Sequence, residues 1–228
     1  MAMCGRYTLY KKIDELAERF NVTKVGYDIN ANFNVAPGQI MPVIIQDETG
    51  RHLEMMQWGL IPAWAKDPSI GYRLINARDD GIFDKPMWRN LILHKRALIP
   101  ADGFYEWQKP ATPKGHKQPF YIHPKQLDLF AFAGVWEVWQ DAGGLDWRTY
   151  SIITTGPNQE MKPIHNRMPV ILHPADEAAW LELTKDAKEQ IAPLLKPYND
   201  NGLALAKVSD AVNSTRNNNE QLIYALAA

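Results

Sequence analysis

Met41-Pro42-Val43-Ile44-Ile45-Gln46, then Asp47-Glu48-Thr49-Gly50, then, after Arg51, His52-Leu53-Glu54-Met55-Met56-Gln57: two apolar-rich runs flank a short polar segment ending in glycine. Runs of this length bounded by Asp, Thr and Gly read as the two strands and turn of a hairpin. The same pattern recurs outward in both directions. Arg96 to Pro100, Phe104 to Gln108 and Phe120 to His123 read as short strands, and Leu129 to Trp139 as a longer one. Thr149 to Thr155, Pro169 to Leu172, Leu203 to Val208 and Gln221 to Leu226 continue it. Helices are fewer. Lys11 to Phe20 places Ile13, Leu16, Ala17 and Phe20 on one helical face. Ala175 to Leu183 and Asp186 to Leu195 read as two more, with Pro174 suited to a first turn and Pro197 ending the second. Many short strands with a few helices predict an α+β fold, one compact domain built on a strongly curved, barrel-like sheet, antiparallel or mixed. Lys109 to Lys117, rich in Pro, Gly and Lys, reads as an exposed loop.

Composition narrows the function. A chain of 228 residues can bury one good core, and no repeat or linker divides it. The single cysteine excludes an internal disulfide and fits a reducing compartment. The start, Met-Ala-Met-Cys-Gly-Arg, has no apolar stretch of the signal-peptide kind, and no run approaches membrane-spanning length. A cytoplasmic location is expected, beside the nucleoid if the source is bacterial. One Cys with no H-x-x-x-H spacing argues against a zinc site; phosphate-loop and G-x-S-x-G patterns are absent. No cofactor or metal is expected. Net charge is −1, but Arg73 to Lys117 holds nine basic and five acidic residues, a local excess of four. Such a face suits a polyanion bound in a groove, or is simply a solvated surface.

Several residues could carry chemistry. Cys4 lies beside small Gly5 and cationic Arg6. Were it the first residue, an amine with a pKa near 8 and a thiol near 8.5 would sit two bonds apart, and such a pair can trap an aldehyde. The amine condenses to an imine and the thiol closes a five-membered thiazolidine. A buried, inert cysteine is the plainer reading. Glu106, in Asp102-Gly103-Phe104-Tyr105-Glu106-Trp107, has aromatic neighbours that lower the dielectric, raise a carboxyl pKa and make a proton donor near pH 7. His165, in Lys162-Pro163-Ile164-His165-Asn166-Arg167-Met168-Pro169, is stiffened by two prolines and is a natural shuttle at neutral pH. Asn76, in Leu74-Ile75-Asn76-Ala77-Arg78, ends an apolar run that would deliver Asn76 and Arg78 to one face of a strand. Asn34 to Gly38 reads as a loop. Trp58-Gly59-Leu60-Ile61-Pro62-Ala63-Trp64 places two large rings near arginines, which suits unstacked bases; for Trp58 core filling is preferred.

Taken together and in this order, Cys4-Gly5-Arg6, Asn34 to Gly38, Trp58 to Pro62, Asn76-Ala77-Arg78, Asp102 to Trp107, and His165 with Arg167 and Pro169 resemble the SRAP family, the SOS response-associated peptidase proteins that shield abasic sites. The resemblance runs from Cys4 to about Asn219. It implies a single curved α+β domain over 4–228 with a groove for single-stranded DNA, preceded by a leader, 1–3. It also implies that Cys4 forms the thiazolidine with the ring-opened sugar, that Asn76 positions the sugar, that Glu106 handles protons, and that His165 assists ring opening and crosslink reversal. Arg6, Arg78 and Arg167 would contact phosphates, and Pro37 and Trp64 would lie against the DNA. The implied partner is single-stranded DNA containing abasic sites, strand junctions included, bound by a monomer. The implied enzyme is lyase-like, crosslinking protein to DNA, with an autoproteolytic peptidase activity that exposes Cys4.

Two departures stand out. Asp80 occupies a place where many members carry glutamate, one methylene longer. Met1-Ala2 precedes Met3-Cys4 and is expected to be a cloning addition. Ordinary removal of Met1 would leave Ala2-Met3-Cys4 without a free amine on Cys4, so crosslinking requires cleavage after Met3. Two rival readings are a cysteine peptidase or amidase acting in trans, and a single-strand binding module without chemistry.

Overall fold

The hairpin forms as read and is longer. In the computed structural model, which describes residues 4–22, 28–110, 112, 115–184 and 187–227, Ile40–Asp47 pairs antiparallel with Gly50–Trp58 from Ile40↔Gln57 to Asp47↔Gly50. The Asp47 carboxylate accepts from the Thr49 N–H, the Thr49 hydroxyl and His52 Nε2, which fixes the turn. Gly50, at φ +123°, takes a conformation that other residues resist.

Along the chain the strands are β1 (Arg6–Leu9), β2 (Asn32–Val35), β3 (Ile40–Asp47), β4 (Gly50–Trp58), β5 (Asn76–Arg78), β6 (Arg96–Ala101), β7 (Gly103–Gln108), β8 (Gln118–Pro124), β9 (Phe130–Gln140), β10 (Asp146–Thr155), β11 (Met168–Pro169), β12 (Ile171–Leu172) and β13 (Leu203–Lys207). The α-helices are α1 (Ile13–Phe20), α2 (Pro86–His94), α3 (Glu177–Leu181) and α4 (Ala187–Ile191). β3, β4, β10, β9 and β6 close into a five-stranded barrel: β10 pairs parallel with β4 and antiparallel with β9, and β6 bridges β9 to β3. β5 adds to β10 in parallel, so the sheet is mixed. A second sheet, β13-β8-β7-β1-β2, is antiparallel throughout.

The core fills the barrel and the space between the sheets. Trp58 is buried, as preferred from its sequence, with the Tyr7 ring edge-on at 5.1 Å and Tyr150 stacked at 6.4 Å. The barrel is narrow enough that a Cβ at Gly134 would lie 2.7 Å from Ile99 Cγ1, so this position takes only glycine without rearrangement. Buried Arg96 donates to the carbonyls of Ile92 and Leu93 at the end of α2, and to those of Trp180 and Glu182 around the end of α3, satisfying groups that helix ends leave open.

Some expectations need correction. Gln221 to Leu226 is not a strand: Glu220–Ile223 forms a 3₁₀ turn capped by the Asn219 side chain. Pro169 to Leu172 is two strands, because the chain switches at Val170 from β10 to β9. Ala175 to Leu183 begins inside a 3₁₀ turn, Pro174–Asp176, and holds only five α-helical residues, Glu177–Leu181. Asn34 and Val35 lie in β2 rather than in a loop. α2 and β1 were not anticipated; α2 starts at Pro86 and buries Trp88, Leu91 and Ile92 in a segment read for charge. The leader 1–3, parts of the Lys109 to Lys117 loop and Asp186 lie outside the described residues.

Candidate active site and nucleic-acid interface

β1 pairs with β7 through Arg6↔Tyr105, Tyr7↔Phe104 and Thr8↔Gly103. Past the end of β1 that register would set Gly5 opposite Glu106, and Cys4, one residue further, turns back to the Glu106 side chain. The Cys4 backbone N–H donates to Glu106 Oε1 at 2.7 Å, and both residues are buried. Cys4 has φ +43°, in the left-handed region that non-glycine residues seldom occupy, and such strain clusters at functional positions. Burial pushes the Glu106 carboxyl up to about 7, against the opposing hydrogen bonds from the Cys4 and Trp107 N–H groups. The carboxyl is therefore present in both forms at neutral pH, as its aromatic surroundings suggested.

The thiol behaves differently from the expectation. Burial, then the Glu106 charge, raises its pKa well above that of an ordinary cysteine. The reactive thiolate fraction expected for an exposed N-terminal cysteine is thus withheld while Cys4 remains in this peptide-linked, enclosed setting.

His165 stands at the end of a tight turn, its N–H donating to the Met161 carbonyl. Gln108, at the end of β7, donates to the Pro163 carbonyl at 3.1 Å and so ties the Glu106 strand to the His165 loop. His165 Nδ1 lies 3.3 Å from both the Arg167 N–H and the Arg167 carbonyl, so either neutral tautomer finds a backbone partner there. Burial lowers the His165 pKa below its usual 6.5, so the neutral ring prevails at pH 7.

Asn76 lies opposite Ile152 on β10, and both atoms of its amide are buried without a hydrogen-bond partner. Buried polar groups are almost always paired, so this orphan amide stands out. Arg78, on the same face of β5 as read from the sequence, is exposed and grips Asp80 through two bonds of 2.8 and 2.6 Å. The Asp80 carboxylate is pulled to about 2 by that pairing. Arg167 is buried. Its Nη2 donates to Asp79 Oδ1 at 2.6 Å, to the Thr154 hydroxyl at 3.2 Å and to the Thr154 carbonyl. Its Nη1 approaches Asp80 at 3.7 Å, beyond hydrogen-bond range. Arg6 is half-buried and donates to Asn34 Oδ1 and the Val212 carbonyl, both at 2.8 Å.

Pro37 and Trp64 lie on two loops flanking the end of β4. The Gly38 N–H bonds to the Trp58 carbonyl, which fixes the Pro37 loop beside β4, and Trp64 is 68% exposed. The structure thus joins Cys4 to Glu106 directly and His165 to the same strand through one bond. Asn76, Arg78 and Arg167 collect around the end of β10. Sequence reasoning passed over Asp79 and Thr154, which hold Arg167, because nothing in their neighbourhood signals a charge partner 88 residues away. Asn34 was quoted for its loop; its role is to donate to the carbonyls of Val212, Ser214 and Asn217 and so shape the segment over Arg6.

The family model described as "SOS response associated peptidase (SRAP)" matches residues 3–215. The chain belongs to that family. Among its relatives is the "Abasic site processing protein YoqW" of Bacillus subtilis, 43% identical over 223 residues, 97% of this chain and 99% of that one. The "Abasic site processing protein HMCES" of Xenopus tropicalis is 32% identical over 231 residues, 86% of this chain and 66% of that protein. A crystal structure of a Bacteroides thetaiotaomicron protein superposes with a TM-score of 0.87 at 27% identity, covering 98% of this chain and all of the other.

Proposed function

We propose that this protein captures abasic sites in single-stranded DNA, at strand junctions included, through a thiazolidine formed by Cys4, after cutting its own chain behind Met3. The observation that carries the reading is the 2.7 Å bond from the Cys4 nitrogen to a carboxyl poised near pH 7. A proton donor and acceptor at that nitrogen is what imine chemistry needs.

The steps balance. Water adds across the Met3–Cys4 peptide bond and frees the Cys4 amine. The amine adds to the aldehyde of the opened sugar, and protonated Glu106 gives a proton to the departing hydroxyl, which leaves as water. Sulfur then adds to the imine carbon and its proton passes to nitrogen, closing the ring. Neutral His165 takes the C1 hydroxyl proton as the sugar hemiacetal opens and delivers it to the ring oxygen, which leaves C1 as the C4 hydroxyl; reversal runs the same transfer backwards. Asn76 satisfies its orphan amide on the sugar oxygens. Arg78 exchanges Asp80 for a phosphate, Arg167 offers Nη1 beside it, and Arg6 flanks the other side of the lesion. Pro37 and Trp64 lie against the neighbouring bases. Positioning amine and aldehyde together lowers the barrier by several kcal/mol.

The carboxyl meets the Cys4 nitrogen and not its sulfur, which favours amine chemistry over the thiol-centred acyl transfer of a cysteine peptidase. Mixing protein with an abasic single-stranded oligonucleotide is expected to yield a heat-resistant species on a denaturing gel, absent from Cys4→Ala. Retention by Cys4→Ala under denaturing conditions would instead point to a different nucleophile.

A further inference from the structure

A cavity of about 510 Å³, with Cys4 not among its lining residues, lies between strand ends of the barrel and the 3₁₀ turn Pro68–Arg73. Its wall is aromatic: Trp139, Trp147 and Tyr72, with Ile61 beside them. Tyr72 is 68% exposed and Trp147 36%, an unusual display for rings of this size. The rim carries two carboxylates, Asp67 and Asp141.

The cavity wall reaches the loops that carry Pro37 and Trp64. The Tyr72 ring lies against Gly38, where a Cβ would meet it at 3.4 Å. The Trp139 indole N–H donates at 2.7 Å to the carbonyl of Ala65, the residue after Trp64. One wall residue thus touches each of the two loops.

We infer that this cavity is a subsite for one unstacked nucleobase of the bound strand, displaced from the lesion, and that it prefers a base with an exocyclic amino group. The inference rests on the DNA reading above. Its chemistry follows from the wall. Aromatic faces take the π-surface of a base, whichever base it is. Asp67 is held by the Ser69 N–H and hydroxyl, and Asp141 by the Gly143 and Leu145 N–H groups and the Trp147 indole, so both are fixed in direction. Those bonds keep both carboxyls below the usual carboxylate range and hence anionic at neutral pH. Anionic acceptors repel phosphate and accept from the amino groups of cytosine, adenine or guanine; thymine has none to offer. An abasic sugar lacks a base of its own, so base contacts along the strand must come from its neighbours.

The test uses single-stranded oligonucleotides with a tetrahydrofuran abasic analogue, which binds without reacting, flanked on both sides by dC or by dT. Wild-type protein is expected to bind the dC series several-fold more tightly. Trp147→Ala is expected to weaken binding about tenfold in the dC series, within the range for losing one stacked base. Asp141→Asn, which keeps one acceptor oxygen and the hairpin turn, is expected to narrow the dC preference, and the double change Asp67→Asn with Asp141→Asn to erase it, while dT binding is unchanged. Equal affinities of wild type and Trp147→Ala for both series would overturn the subsite. Covalent capture of a reactive abasic oligonucleotide at saturating concentration is measured on the same proteins. Capture by wild type with no change in the variants' affinities removes the subsite alone; no capture by Cys4-terminal wild type removes the DNA-capture reading itself.

Discussion

Glu106 sets the terms of the chemistry and also costs stability. Its carboxyl is raised in the folded chain from the ordinary 4.5 to about 7, chiefly by burial. The folded state therefore binds more protons than the unfolded state between those values, and stability falls as pH rises through that window. At about 1.4 kcal/mol per pH unit the cost at pH 8 is on the order of 3 kcal/mol. Asp102, raised by burial to about 6, adds a loss of the same sign at slightly lower pH. Glu106→Gln keeps the acceptor for the Cys4 N–H and removes the ionisation. Its expected outcome is a higher Tm than wild type at pH 8, no gain at pH 4, and capture reduced by at least a hundredfold. A lower Tm at pH 8 would show that the charge is not a burden there. Wild-type capture should also be greatest near pH 7, where both forms of Glu106 are populated.

At the scale of elements, the mixed barrel explains why so many side chains converge on one strand. β10 takes β4 and β5 in parallel on one side and β9 antiparallel on the other, and this brings Asn76, Arg78 and the Arg167 clamp to its end. Inside that barrel Gly134 packs against Ile99 with no room for a side chain. Gly134→Ala is expected to cost about 2 kcal/mol by overpacking against Ile99, lowering Tm by roughly 4–8 °C in a chain of this size with the site chemistry intact. An unchanged Tm would mean that the barrel yields more easily than its packing implies.

The hairpin, the long β9 strand and the short β5 run were legible in the sequence because apolar periodicity and turn residues are local signals. The Cys4–Glu106 contact was not, since it spans 102 residues and depends on the β1–β7 register. The same holds for the break at Val170, where an apolar run read as one strand pairs in turn with two different neighbours. Trp58 and Trp64 looked alike in sequence; only the barrel separates the buried ring from the exposed one. The raised thiol pKa was equally hidden, because it follows from enclosure and not from Gly5 and Arg6.

For the whole molecule, a net charge of −1 leaves DNA attraction to local groups. Arg78 is the accessible one among the arginines of the site, and its Asp80 partner is equally exposed, so the exchange for phosphate costs little. Arg78→Ala should weaken single-strand binding and reduce the slope of log affinity against log salt by about 0.7. An unchanged slope would take Arg78 out of the phosphate path. The most direct test of the central claim is the intact mass of a chain verified to begin at Cys4, after incubation with an abasic single-stranded oligonucleotide. The account predicts one new mass equal to protein plus oligonucleotide less one water, formed by wild type and not by a chain whose α-amine is blocked. A Cys4-terminal protein that keeps its own mass beside intact abasic DNA, or an adduct that forms equally with the amine blocked, would contradict it.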